Sequence, residues 1–469
     1  MVTGRISSMH LSKKPAYPWL LFIFVLVYPL LFFPGTLFGR PPVITPLDNI
    51  MASEQFLYLP KLLFLLGVGV LGLLEVRRLI APSTFLLLIS LHLVLAVLST
   101  LNARDSLAFN LLGPSQRFDG ILYQAGLFAV GAFAYITLKS APQHLRSLVI
   151  ALVLGCSIQS VVLLFQGLGV DPITPLRLWE TPNIPLGTLG HPGMAAAYLL
   201  PGLLLALWYS LMAEEQRYRH WWFSAALLIA TGLGITSNAS AFYALIATLV
   251  LANILKRSWR LLLLSCLLLL AVLIPRTFSK DTQSYTDTTT FQTRRIIWHI
   301  ALRAISETPF QPILGGGPDA LRLAQLRNPP LDLLFKEYAL EFGWPKDAIV
   351  KRAYIKEADS ANKGLRDRWL AIEFEQFGGS KNVTKEYSFA IDRAHNYILD
   401  RWLAYGLISV GIWLVLFLRP IYQSFYLQNC FGWAFIALMI YYLAWFPVMQ
   451  VEPIHLVLLA AAWARPQPQ

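Results

Sequence analysis

Residues 260–281 read RLLLLSCLLLLAVLIPRTFSKD, and this stretch decides the fold. An apolar run from Leu261 ends at Pro275, and the chain turns polar at once through Arg276, Thr277, Ser279, Lys280 and Asp281. Polar sequence continues to Ala394, where Asp392-Arg393-Ala394-His395-Asn396-Tyr397 marks the return to apolar sequence. Hydrophobic segments fill both sides of this insert. The pattern describes a polytopic membrane protein with its polar mass gathered into one large loop, and chemistry is expected at that surface rather than along a path through the bilayer.

Composition agrees. The 469 residues are 56% hydrophobic and 14% charged, where a soluble domain carries about a quarter charged residues. The first apolar segment, Trp19 to Phe33, follows Arg5, Lys13 and Lys14 and resembles a signal peptide. It runs into Pro34-Gly35-Thr36 rather than a small-residue cleavage site, so it is read as a retained span. Cys156, Cys266 and Cys430 lie in or beside apolar segments and imply no disulfide framework. The net charge of +12 is assigned to cytoplasmic connections, where membrane proteins gather Lys and Arg, and not to nucleic-acid binding.

A span needs about 20 mainly apolar residues. The candidates are about 18–34, 57–74, 82–100, 121–138, 147–168, 193–211, 221–236, 239–255, 260–275, 396–418, 430–446 and 449–464, twelve in all. The stretch 221–255 is too long for one helix at about 1.5 Å per residue, so a tight turn is expected at Thr236-Ser237-Asn238. With the N-terminus inside, fourteen Lys and Arg residues fall at cytoplasmic connections and span ends, against five outside: Arg40, Lys61, Arg104, Arg117 and Arg177. That bias puts both termini in the cytoplasm and the large loop outside. The expected fold is all-α and polytopic: residues 1–275 with spans one to nine, an extracytoplasmic and mostly helical loop over 276–394, and residues 395–469 with spans ten to twelve.

Within the loop, Thr293 to Ser306 has helical periodicity. Arg295, His299 and Arg303 form one stripe flanked by Trp298, with Ile296, Ile297, Ile300, Ala301 and Ala304 opposite. This reads as an amphipathic helix lying on the membrane surface. Gly315-Gly316-Gly317-Pro318 follows it, and Arg322 to Lys385, with Trp344, Trp369 and Phe374, reads as a small helical lid.

His395 stands at the mouth of the tenth span, where an imidazole can exchange protons with water and serve as a general base; an interfacial histidine without a role is the plain alternative. Arg294, Arg295 and Arg303 suit a lipid-linked phosphate or diphosphate, or attract anionic lipid. Arg117, in Gly113-Pro114-Ser115-Gln116-Arg117-Phe118-Asp119-Gly120, either binds an anion or pairs with Asp119 inside its loop. His191 caps the sixth span and reads as structural, and the Gly315–Gly317 amides offer a phosphate cradle or a simple turn. No His/Cys cluster, Asp-x-Asp pair or Gly-x-Ser-x-Gly motif occurs in the outer segments, so no metal and no cofactor is expected. Ionisable residues inside spans are few, chiefly His92, Asp400, Arg401, Glu452 and His455, and most are read as lying near span ends, which argues against a coupled transporter.

Taken together, Arg294-Arg295-Ile296-Ile297-Trp298, Pro312-Ile313-Leu314-Gly315-Gly316-Gly317 and His395-Asn396 followed by Gly406 resemble the O-antigen ligase/polymerase superfamily. The Arg117 turn looks like that family's Gly-x-x-x-Arg-x-x-Gly. The resemblance implies a bacterial inner-membrane enzyme that transfers a glycan from undecaprenyl diphosphate to a lipid or glycan hydroxyl. It further implies that Arg117, Arg294, Arg295 and Arg303 hold the diphosphate, that His395 acts as base, and that Trp298, Asn396 and His191 support them. Ser409 stands where ligases of the family tend to carry Gly, Thr or Tyr, so ligase, polymerase and protein O-oligosaccharyl ligase all stay open.

Overall fold

Each of the twelve apolar segments forms a helix. A computed structural model describes residues 18–32, 49–103, 107–113, 118–170, 172–173, 185–278, 289–306, 311–318, 320–327, 349–357, 368–376, 383–389, 393–427, 430–446 and 448–465. Helix α1 (Trp19–Val27) passes into a 3-10 turn. It is followed by α2 (Asn49–Val76), α3 (Thr84–Asn102), α4 (Leu107–Leu112), α5 (Ile121–Ser140), α6 (His144–Gly167) and α7 (Pro192–Met212). Then come α8 (Gln216–Ile235), α9 (Ala239–Lys256) and α10 (Trp259–Phe278). The loop holds α11 (Thr289–Ile305), α12 (Gln311–Leu314) and α13 (Ala320–Arg327), and the chain closes with α14 (Tyr397–Leu427), α15 (Cys430–Tyr442) and α16 (Glu452–Ala464).

Among the described residues, eight helices (α2, α3, α5, α6, α7, α9, α10 and α14) are long and apolar enough to cross a membrane. Helices α15 and α16, and α1 with its 3-10 turn, are apolar but shorter. Helix α8 opens on Gln216-Arg217-Tyr218-Arg219-His220, and this polar first turn sets it apart. The chain is an integral membrane protein with multiple spans. The turn expected between α8 and α9 is present: Ser237 takes a left-handed φ of 50°, and the Asn238 side chain caps α9 by accepting from the Ala241 amide at 2.9 Å.

Helices α7 and α16 are buried along almost their whole length. Their small residues, Ala195–Ala197 and Ala460–Ala462, let neighbouring backbones approach closely, which is how helices gain contact where lipid is as apolar as leucine. Peripheral helices turn Leu71, Leu87, Leu98 and Leu262 outward. Hydrogen bonds fasten the core across long sequence separations: Tyr28 donates to the Met449 carbonyl at 2.5 Å and Trp463 to the Leu416 carbonyl at 3.0 Å.

Helix α14 is broken at Gly406, whose φ of 80° and ψ of 172° are not helical. A break strips the preceding carbonyls of their in-helix donors, and a membrane interior tolerates this only when other groups satisfy them. Here the Gly316 amide donates to the Leu403 carbonyl at 2.8 Å and the Gly317 amide to the Ala404 carbonyl at 2.9 Å. Ser99 adds a hydroxyl to Ala404 at 2.5 Å. The approach is so close that a β-carbon on Gly406 would overlap the Ile313 carbonyl, and one on Gly315 the Ala404 carbonyl. The glycine run is therefore no phosphate cradle: two of its amides are spent on the broken helix.

Two expectations for the loop are corrected. Helix α11 buries Ile296, Ile297, Ile300, Ala301 and Ala304 and exposes Arg295, His299 and Arg303, as the spacing implies. Its apolar face, however, packs on α13 and α14 rather than lying on lipid. The expected helical lid instead contains three strands, β1 (Ile349–Glu357), β2 (Arg368–Gln376) and β3 (Val383–Phe389), in an antiparallel sheet ordered β1-β2-β3. Ile372 stands opposite Ala353 on one side and Tyr387 on the other.

Candidate functional site

Asn396 fixes the start of α14. Its side-chain oxygen accepts from the Ile398 and Leu399 amides at 3.0 and 3.1 Å, an N-cap that satisfies two otherwise orphaned donors. Its amide nitrogen donates to the Leu443 carbonyl at 2.9 Å, joining this helix start to the end of α15. Two residues earlier, the Ala394 amide donates to Asp400 at 2.8 Å. Between these anchors His395 is held at a φ of 51°, a left-handed conformation uncommon for any residue but glycine.

The half-buried His395 ring lies edge-on to Phe446 and Trp445, with centroids 4.9 and 5.9 Å away. Its Nδ1 is 3.2 Å from the Arg393 carbonyl. A carbonyl only accepts, so Nδ1 carries a hydrogen. In the neutral ring the lone pair is then on Nε2, the tautomer a general base requires.

His191 comes to the same place. It caps α7, with Nδ1 accepting from the Gly193 amide at 3.0 Å, and its ring lies 5.2 Å from that of Trp445. An amide only donates, so here the lone pair is on Nδ1 and the hydrogen on Nε2. Although its surface is exposed, protein packs around most of the ring. That desolvation, helped by the nearby His395, pushes its pKa down to about 4.

Arg294 is half-buried and donates to the Ser240 hydroxyl at 3.2 Å, while its Nε has no partner among the described residues. Burial lowers its pKa and the neighbouring Tyr441 partly offsets this. Tyr441 donates to the Gly193 carbonyl at 2.7 Å, and its ring is 6.1 Å from Trp445. Tyr441, His191, Trp445 and His395 therefore form one group of neighbouring rings where α7, α14 and α15 meet, and Arg294, on α11 beside α9, is linked to it electrostatically through Tyr441. Arg295 and Arg303 are exposed on another stripe of α11, and Trp298 is half-buried on that helix.

Arg117 lies outside the described residues, but both ends of its loop are fixed. The Gly120 amide donates to Leu112 at 3.2 Å, and Gly113, at φ 81°, packs on the Gly120 backbone. Asp119 pairs with Arg393, both buried. Arg393 was not singled out in the sequence: nothing in Asp392-Arg393-Ala394-His395 marks a buried guanidinium. It ties the Arg117 loop to the segment that holds the base, and it lies over Phe446 at 5.9 Å.

Of the ionisable residues read as lying near span ends, Asp400 and Glu452 are in the first turns of α14 and α16, Arg401 follows Asp400, and all three are buried. Arg401 and Glu452 form a buried ion pair. Arg401 also donates to His92 Nε2 at 3.1 Å, and His92 Nδ1 donates to Ser409 at 2.9 Å. Tyr123 donates to Glu452 at 2.8 Å. The guanidinium lies 4.6, 5.2 and 5.4 Å from the Trp413, Tyr397 and Tyr405 rings. Burying such charges is tolerable only because they are paired and hydrogen-bonded. Beside them, α14 and α15 leave an apolar cleft of about 430 Å³ lined by Tyr397, Ile398, Trp413, Phe417 and Tyr442.

Among the described residues no three His, Cys, Asp or Glu side chains converge with metal-binding geometry. What is gathered around Trp445 is His395 and His191, with the half-buried Arg294 linked to them through Tyr441. Such a group can take a proton from a hydroxyl beside an anionic leaving group. Comparison with known protein families, curated proteins and solved structures finds no match to this chain.

Proposed function

We propose that this protein is a membrane glycosyltransferase of the O-antigen ligase type. It takes a glycan from an undecaprenyl-diphosphate carrier and passes it to a lipid or glycan hydroxyl on the extracytoplasmic side of a bacterial inner membrane. In this reading all twelve apolar helices cross the bilayer and both termini are cytoplasmic. The same chemistry would serve a polymerase or a protein O-oligosaccharyl ligase, with a different acceptor in the site.

The observation that supports the proposal is His395, its Nδ1–H held by the Arg393 carbonyl, packed on Trp445 beside Tyr441, to which Arg294 is electrostatically linked. His395 Nε2 removes the acceptor proton as the hydroxyl oxygen attacks the anomeric carbon. The bond from that carbon to the diphosphate breaks on the opposite side, giving inversion without a covalent enzyme intermediate. Guanidinium charge on the departing diphosphate supplies the electrostatic stabilisation. Arg294, half-buried and linked to Tyr441, is the arginine this reading assigns to the diphosphate.

The experiment compares two conservative variants. Arg→Lys keeps the charge and loses the two-pronged geometry. Arg294→Lys is expected to lower transfer from a polyprenyl-diphosphate donor by about 10- to 100-fold, on the scale of one charge-assisted hydrogen bond. Arg295→Lys, on the exposed stripe, is expected to stay within about threefold of wild type, well under that scale. Equal losses, or a loss only in Arg295→Lys, would mean that the diphosphate is bound elsewhere on α11.

A further inference from the structure

We infer that His191 and His395 form a matched donor–acceptor pair that grips a single acceptor hydroxyl. The inference rests on the transfer reading above and adds a second working residue to it. Both imidazoles pack on Trp445, at 5.2 and 5.9 Å, and His395 is near enough to help lower the pKa of His191. Their tautomers are opposite and each is fixed by the backbone. The Gly193 amide holds His191 with its hydrogen on Nε2. The Arg393 carbonyl holds His395 with its lone pair on Nε2.

A hydroxyl oxygen has one hydrogen and two lone pairs. In this pair the hydrogen goes to His395 Nε2 and one lone pair accepts from His191 Nε2–H. The second lone pair is left to attack the anomeric carbon. Every valence of the attacking oxygen is then assigned: it gains a bond to carbon, its proton goes to His395, and the electron pair of the broken carbon–oxygen bond leaves on the diphosphate. His191 gives up no proton.

His191 cannot become a cation without losing its cap, because a second ring proton would occupy the Nδ1 lone pair that the Gly193 amide needs. Burial opposes the charge as well. A neutral donor is thereby kept beside the base, and it does not compete for the proton that His395 must take. Among the described residues, the titratable groups around this pair are Arg393, which pairs with Asp119, Asp400, which accepts from the Ala394 amide, and Tyr441 on α15, to which Arg294 on α11 is electrostatically linked.

Two neutral substitutions separate the donor from the cap. His191→Asn keeps a short capping acceptor but cannot reach as far as Nε2. His191→Gln reaches that far with an N–H donor but caps poorly. The full chain, labelled with ¹⁵N-histidine, is followed by NMR while methyl β-D-glucopyranoside is added as the hydroxyl probe. Wild type is expected to show His191 protonated on Nε2 and His395 on Nδ1, with both signals moving along one binding curve. His191→Asn should keep its Tm and bind the probe about tenfold more weakly, the scale of one hydrogen bond. His191→Gln should lose Tm and keep the probe response. Any other pattern, or a His191 protonated on Nδ1, overturns the pair. If both histidines respond as expected but no polyprenyl-diphosphate donor is turned over, the transfer reading falls and the hydroxyl site stands. If transfer proceeds while the Asn and Gln variants share one acceptor KM, the pair falls and transfer stands.

Discussion

Asn396 stood out in the sequence only as a neighbour of His395, and the structure gives it two separate tasks. Its oxygen caps α14 and its nitrogen fastens that helix to Leu443. Asn396→Asp keeps the capping oxygen and loses the donor to Leu443. Asn396→Ala loses both. Thermal unfolding of the purified chain should therefore rank wild type above Asp and Asp above Ala, with Ala costing about 1 kcal/mol more than Asp for the lost cap. Asp and Ala unfolding together would mean that the cap contributes nothing. At this scale the sequence could nominate His395 and Arg294 because their chemistry is distinctive. It could not show that Arg393 is buried against Asp119, or that Arg294 and Arg295, one residue apart, face different surroundings. Those facts depend on the direction each side chain takes from α11 and on a loop more than two hundred residues away.

Among the elements, the spans were legible because helical length and apolarity are local properties. The buried stripe of α11 was legible for the same reason. The sheet was missed although β2 carries its signal, with Leu370, Ile372 and Phe374 alternating with Ala371, Glu373 and Glu375, a period of two. Mixed charge drew attention away from that alternation. The break in α14 was harder to read, since glycine inside a membrane helix is common and need not bend it. Only the docking of Gly315–Gly317 on the freed carbonyls reveals why Gly406 is required. Gly406→Ala combines a left-handed φ with overlap against Ile313, and should destabilise the chain by more than about 3 kcal/mol. Gly411→Ala, five positions on with open space at its Cβ, should be neutral or slightly stabilising. Unfolding measurements on the two variants compare them directly, and similar values would remove the backbone dock from the account.

For the molecule as a whole, the fold places His395 at the start of a broken helix and pairs Arg401 with Glu452 in the interior. Arg401, which pairs with Glu452 and donates to His92, lies about one helical turn inside α14, which begins at Tyr397. The central claim is that His395 removes a proton from an acceptor hydroxyl while a diphosphate leaves. The most direct measurement is glycan transfer by the purified full chain in lipid nanodiscs, from a synthetic undecaprenyl-diphosphate oligosaccharide, scored by the anomeric configuration of the product. Wild type should invert and keep its rate in excess EDTA, and His395→Ala should fold, retain its Tm within a few degrees and lose transfer by about 100-fold or more, the scale of general-base catalysis. Near wild-type transfer by His395→Ala, or a retained anomeric configuration, would contradict the account.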